Sequence, residues 1–389
     1  MWLPKITFLM ITAREDYPYL GRKDLHVFFP TIHCLKQQTF KDFELIIVDA
    51  LYEQRKDYFT DMDLNFTVKH IPAKPNLWLE AGLPGISTQY NKGIIHADGD
   101  LLFCTGDSHM MLPDFMQNLW DHYQDGYFPL ATYWYDNTFS KAKPMKINPY
   151  TFDGDKKEIF NIAYPNHGKA PIEYDILGFT GKNVTHEHRY TESFKDTTCN
   201  VKWASWGWWF GCSSVALEAI LKIGGFNQRL DGDCELIDCS VGNRLDLAGY
   251  GARLALFRDI FLIRIPTQVG KWNDNVQKNR ISIKCNYPLL HLSRDFVTYK
   301  ANVKKLEEYE ISYMKNVCCK EHCMLRETCR KENPFLFPFQ YKPHPDQENI
   351  SSEKWWNFWK THIELIDLEE ERKLRKSGEK YQEGTFINI

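Results

Sequence analysis

The first long apolar run covers residues 5–12, Lys5-Ile6-Thr7-Phe8-Leu9-Met10-Ile11-Thr12, and reads as a strand buried on both faces. A polar turn follows at Ala13-Arg14-Glu15-Asp16, then a segment of helical character over 28–38. Phe43-Glu44-Leu45-Ile46-Ile47-Val48-Asp49 predicts a second strand and residues 66–71 a third. Helical spacing returns over 86–96, and the turn Asp98-Gly99-Asp100 leads into a fourth strand running towards Asp107. Strand and helix in alternation predict parallel βαβ units with helices on both faces of a central sheet. In such sheets ligands bind beyond the carboxyl ends of the strands, where Thr12, Asp49 and Asp107 all fall.

After residue 115 the pattern weakens, and residues 130–200 show little periodicity. Residues 213–223 predict a helix ended by Gly224-Gly225, residues 236–249 another closed by Gly249, and residues 254–265 a strand. Beyond residue 300 the composition shifts to Lys, Glu and Cys, then to the Pro-broken stretch 333–345 and a charged helix over 352–380. The expected organisation is a domain over 1–299 and a Cys-rich, helical C-terminal extension over 300–389. Within the domain, a donor half ends near 115 and an acceptor and catalytic half runs from 116 to 299.

The 389 residues suffice for a full core, and 43% hydrophobic with 25% charged residues is a globular composition. A formal charge of −3 gives no overall basic field to attract nucleic acid. No apolar run approaches the roughly 18 residues that span a bilayer, so a soluble, cytoplasmic protein, at most peripheral to a membrane, is expected. The 12 Trp raise the prospect of rings lining a sugar-stacking cleft.

Candidate chemistry concentrates at Asp107-Ser108-His109. Side chains two apart at a strand end point the same way, and a carboxylate with an imidazole suits a divalent cation that also grips a diphosphate.

Four segments then carry a resemblance to the family-two glycosyltransferases of GT-A fold, over roughly residues 5–295. Thr12-Ala13-Arg14 is followed by Gln37-Gln38-Thr39-Phe40-Lys41-Asp42-Phe43-Glu44-Leu45-Ile46-Ile47-Val48-Asp49, similar to the family's lead into its nucleotide-binding aspartate. Gln89-Tyr90-Asn91-Lys92-Gly93-Ile94 with Ala97-Asp98-Gly99-Asp100 resembles a second motif, and Gly106-Asp107-Ser108-His109 stands at the Asp-x-Asp metal position. Gly224-Gly225-Phe226-Asn227, Asp231-Gly232-Asp233, Asp238 and Arg244-Leu245 resemble the fourth.

The resemblance implies a GT-A fold, Rossmann-like with a mostly parallel sheet, and a hexosyl-type transferase using a nucleotide-sugar, UDP-linked first. It places Thr12, Arg14, Asp49, Asn91, Asp107 and Ser108 on the donor nucleotide, and Asp238 as general base of an inverting transfer. Mn²⁺ or Mg²⁺ would be held by Asp107 and His109, with His291 as third ligand or Gln268 in its stead. The Asp-x-His form is also that of the polypeptide N-acetylgalactosamine transferases, which are retaining. Ile237 replaces the family's glutamate before the base, and Glu235 is the candidate to compensate. Trp208 and Trp209 are expected to line the sugar and acceptor pocket.

The spacing of Cys318, Cys319, Cys323 and Cys329, with His322 and Cys285 as further donors, permits structural Zn²⁺ or an iron–sulfur cluster. The acceptor is expected to be a glycan or a glycosylated small molecule. A modified nucleic-acid base, with the Lys-rich tail docking on nucleic acid, is the alternative enzyme reading. A degenerate carbohydrate-binding domain is the non-enzymatic one.

Overall fold

The computed structural model describes residues 4–12, 29–74, 85–107, 109–136, 167–168, 174–182, 184–186, 193–194, 200–204, 209, 212–228, 237–264 and 366–387. Four strands form the parallel part of the sheet: β1 (Ile6–Thr12), β2 (Phe43–Asp49), β3 (Thr67–Pro72) and β4 (Leu101–Thr105). Their spatial order is β3-β2-β1-β4, with β1 in register against both neighbours, Thr12 opposite Asp49 and Met10 opposite Thr105. Continuous apolar sequence is the signature of strands covered on both faces, and β2 and β4 are buried throughout.

The helices named here are α1 (Phe29–Lys36), α2 (Tyr52–Arg55), α3 (Ile86–His96) and α4 (Phe115–Gln124). α3 lies directly on β1, and a Cβ at Gly93 would collide with the side chain of Leu9. The residue is glycine because the helix must approach the strand that closely.

Past β4 the sheet turns mixed. A two-residue strand β5 (His109–Met110) and a long β6 (Phe128–Asp136) are followed by short β7 (His167–Gly168), β8 (Val184–His186) and β9 (Val201–Trp203). β10 (Ser213–Ala216) runs antiparallel between β4 and β6, and β11 (Leu254–Arg264) runs parallel to β6. β5 closes that edge against β11, with His109 opposite Arg264. The architecture is of the α/β class that the sequence predicts: a parallel half continued by a mixed half.

Two sequence expectations are corrected in this region. Residues 213–216 are strand, and only α5 (Leu217–Lys222) of the expected helix forms, because the sheet needs Ser213 to Ala216 opposite Cys104 to Leu101. β6 is a nine-residue strand where the sequence pattern promises little order; buried along nearly its whole length, Phe-Pro-Leu-Ala-Thr-Tyr-Trp-Tyr-Asp has no polar alternation to show. The helix expected at 236–249 is α6 (Ile237–Leu245), followed by a wider turn, Asp246–Tyr250, that Gly249 ends at φ +90°.

The C-terminal boundary is also redrawn. Residues 366–387, assigned by sequence to an extension beyond residue 299, join the body of the domain. α7 (Leu368–Ser377) starts at Asp367, whose side chain accepts from the Glu369 and Glu370 amides, and packs on α3. β12 (Thr385–Ile387) then pairs antiparallel with β3 and extends the parallel sheet. The rest of the expected extension, including the whole cysteine cluster, lies outside the described residues.

Candidate functional site

β1 and β4 deliver Thr12 and Asp107 to the same carboxyl-end rim of the sheet. Asp107 is 4% exposed, and the Thr12 hydroxyl donates to its Oδ2 at 2.7 Å. The Thr12 carbonyl accepts from the Ala50 amide at 2.9 Å. Thr12, expected on the donor nucleotide, orients the carboxylate with its side chain and ties β1 to the end of β2 with its carbonyl.

His109 returns two residues later on β5. Its Nδ1 lies 3.1 Å from Thr105 Oγ1 and 3.3 Å from the Gly106 carbonyl, and its ring stacks on Tyr133 with centroids 5.3 Å apart. Its own carbonyl accepts from the Thr31 hydroxyl at 2.7 Å. An imidazole oriented at one nitrogen by neighbouring oxygens is the arrangement that metal-binding histidines use. Cys212 Sγ lies 3.9 to 4.0 Å from the two ring nitrogens and 3.2 Å from the Thr105 hydroxyl. Burial pushes the Cys212 and Cys104 thiols up, so both stay protonated at neutral pH.

The donor set tests the fit of a catalytic ion. A carboxylate and an imidazole, both at the strand-end rim, are acceptable to Mn²⁺ or Mg²⁺. Among the described residues no third His, Cys, Asp or Glu completes a cluster with them. His291 lies outside the described residues.

Asp238 opens α6 from the other half of the domain, and its Oδ1 accepts from the Cys239 amide at 2.8 Å. Tyr90 stacks on Phe226 at 4.6 Å and donates to the Thr105 carbonyl at 3.1 Å. Burial pushes its pKa well above the ordinary value, and the nearby Cys104, Cys212, Asp238 and Asp107 push the same way. Both carboxylates therefore lie within electrostatic reach of one buried hydroxyl.

Three other expected ligands have internal partners. Asn91 donates from Nδ2 to the Phe226 carbonyl and accepts at Oδ1 from the Phe226 amide, both at 2.8 Å. It clamps α3 to the Gly-Gly-Phe turn. Asp49 is fully buried; it accepts from the Leu51 amide at 2.8 Å and from Arg55 at 3.2 Å, and faces His70 Nε2 at 3.1 Å. Trp209 is 1% exposed, tilted against Phe226, and its Nε1 donates to the Ser214 carbonyl at 3.2 Å. In this conformation all three side chains hold the fold. Arg14, Ser108, Trp208, Glu235 and the Cys318, Cys319, Cys323 and Cys329 group lie outside the described residues.

Sequence reasoning missed Gln228 and the role of Arg244. Gln228 accepts at Oε1 from the Ile366 amide at 2.7 Å and donates to the Thr88 hydroxyl at 3.1 Å. Arg244 donates to the Ile223 carbonyl at 2.8 Å and the Gly225 carbonyl at 2.6 Å, which fixes the turn ahead of Asp238. Their signal was position alone, directly after Gly-Gly-Phe and within the fourth motif.

No protein-family model matches the chain. Among solved structures it is similar to TarS of S. aureus, at 11% identity and a TM-score of 0.41, over 96% of this chain and 55% of that one. It thus spans little more than half of that protein's length. It is also similar to TarS residues 1–349 in complex with UDP-GlcNAc, at 11% identity and a TM-score of 0.44, over 97% and 93% of the two chains.

Proposed function

We propose that this chain is a glycosyltransferase that moves a sugar from a nucleotide-sugar, a UDP-sugar first, to a hydroxyl acceptor on a glycan or a glycosylated small molecule. The observation that carries the reading is the placement of Asp107 at the carboxyl-end rim beyond β4, where the Thr12 hydroxyl holds it, with Asp238 at the start of α6 in the mixed half. A transfer of this kind needs positive charge or a Lewis acid for the leaving diphosphate and a base for the incoming hydroxyl, on opposite sides of the reacting carbon.

Asp107 and His109 would hold a divalent ion, which when bound neutralises charge on the departing diphosphate. Thr12 fixes the Asp107 carboxylate, and Thr105 with Gly106 fixes the His109 ring. Asp238 takes the proton from the acceptor hydroxyl, and the product inverts at the anomeric carbon. Arg244 holds the turn before α6, so the base is carried on a rigid element. For the tail, the same proposal assigns structural zinc to Cys318 or Cys319 with Cys323 and Cys329; metal analysis of the purified protein decides it.

The test is turnover of UDP-sugars by the intact protein with Mn²⁺. Asp238→Asn is nearly isosteric yet cannot take a proton, so turnover should fall about 10²-fold or more while donor binding persists. A product that retains the donor's anomeric configuration would refute the inverting assignment, and full activity in the variant would remove Asp238 from the mechanism.

A further inference from the structure

Arg264 ends β11, in register with His109 of β5 on one side and Tyr135 of β6 on the other. Its guanidinium carbon lies 5.8 Å from the Tyr133 ring centre and 5.6 Å from that of Tyr135. Tyr133 is the ring on which His109 stacks, so the cation and the imidazole share one neighbour. Nη1 donates to the Tyr135 hydroxyl at 3.4 Å, a long contact. Among the described residues the guanidinium has no carboxylate within ion-pair distance.

This side chain is half-buried at the rim where Asp107 and His109 stand. The Tyr133 and Tyr135 rings beside it offset part of the cost of burying its charge. An arginine keeps its charge throughout the physiological pH range, and a guanidinium at this rim is placed to attract an anion. A divalent ion at His109 would set a second positive charge beside it. The two are compatible when a polyanion lies between them, and a guanidinium presents its donors in a planar fork that fits phosphate oxygens.

We propose that Arg264 is a diphosphate-binding residue, which holds the leaving group of the donor against the ion-binding pair Asp107 and His109. This rests on the transferase reading above and adds to it a fixed charge that the ion does not supply. As the glycosidic bond breaks, its electron pair goes to the diphosphate oxygen, and Arg264 stabilises the charge that collects there.

The experiment measures binding of uridine, UDP and inorganic pyrophosphate to the intact protein by calorimetry, with and without Mn²⁺, for wild type, Arg264→Gln and Arg264→Lys. Loss of charge-assisted hydrogen bonds should weaken UDP and pyrophosphate at least about tenfold in Arg264→Gln. Uridine, which has no phosphate, should bind unchanged. Arg264→Lys keeps the charge without the fork and should recover part of the loss. If Arg264→Gln does not fold by circular dichroism, a weakened UDP and unchanged uridine in Arg264→Lys support the proposal equally. UDP and pyrophosphate affinities equal to wild type in folded variants overturn the proposal and leave the transferase reading standing. Wild-type protein that binds pyrophosphate through Arg264 but neither UDP nor a UDP-sugar supports the anion site and overturns the donor assignment. Wild-type protein that binds none of these overturns both.

Discussion

The hydrogen bond from Thr12 to Asp107 shows how one contact across two strands prepares a side chain for chemistry. It joins the first strand to a residue 95 positions later and fixes the rotamer of a carboxylate that would otherwise sample several. Asp107→Ala should therefore abolish Mn²⁺-dependent UDP binding in a thermal-shift assay while the fold survives. Thr12→Val should weaken that binding but not remove it, since the carboxylate remains. Asp49 gives the contrasting case. With Arg55 and His70 packed on its carboxylate, removing the charge leaves a buried guanidinium without its partner. Asp49→Ala should lower stability by about 3–5 kcal/mol in urea denaturation, the usual cost of breaking a buried pair. A nucleotide-affinity defect with unchanged stability would contradict that assignment. Asp107 and His109 are singled out in the sequence by the apolar run that precedes them, although the expectation of one continuous strand gives way to a bend at Asp107 between β4 and β5. Asn91 reads as a ligand in the sequence because its partner, Phe226, stands 135 positions away, and no spacing rule shows such a pair.

At the scale of elements, α7 acts as a cap for α3. Arg372 Nη1 donates to the carbonyls of Ile94 at 2.6 Å and Ala97 at 2.7 Å at the helix end, where the Ile94 carbonyl otherwise has only the Ala97 amide at 3.2 Å. Arg375 donates to the His96 carbonyl at 2.9 Å and pairs with Asp98, which Lys69 also reaches at 2.6 Å. Arg372→Ala should cost about 2 kcal/mol, because buried carbonyls lose a charged donor; a chemical-denaturation midpoint unmoved by the change would exclude the capping role. The same junction sets an acid limit on stability. Burial, then the charges of Arg375, Lys69 and Lys92, lowers the His96 pKa to about 3. The unfolded chain binds the proton from about pH 6.5 downwards while the folded one refuses it, so this stabilisation is complete above pH 6.5 and is lost as pH falls towards 3. Burial raises the Asp98 pKa, but Arg375 and Lys69 more than reverse it, to about 2. Its contribution is present above pH 3.8 and is lost towards pH 2. The unfolding midpoint should therefore decline on acidification from pH 6.5, and His96→Gln should flatten the upper part of that decline. None of this is legible in the sequence: residues 352–380 read as a charged helix, and its docking surface cannot be seen in its own pattern.

For the molecule as a whole, the parallel half of the sheet is legible in the sequence, and the mixed half only at α6 and β11. β1, β2, β3, β4 and α3 each announce themselves by local apolar pattern, and their order follows from the rules for parallel βαβ units. β6 and β10 are held by pairing with strands far away in sequence, so short apolar stretches there read equally well as helix or loop, whereas the longer run of β11 reads as the strand it is. The return of residues 385–387 to β3 carries a consequence for how the chain is made. The Tyr52 hydroxyl beside that edge lies 3.0 Å from the hydroxyl of Thr385, 333 positions later. A ribosome adding 5–20 residues each second takes about 15 to 70 seconds to cover that distance. Throughout that interval the nascent parallel half presents the β3 edge without β12, the kind of template through which chains on neighbouring ribosomes join into aggregates. Slower translation should lengthen that exposure and lower the soluble yield, and a chaperone that shields strand edges until β12 emerges should restore it.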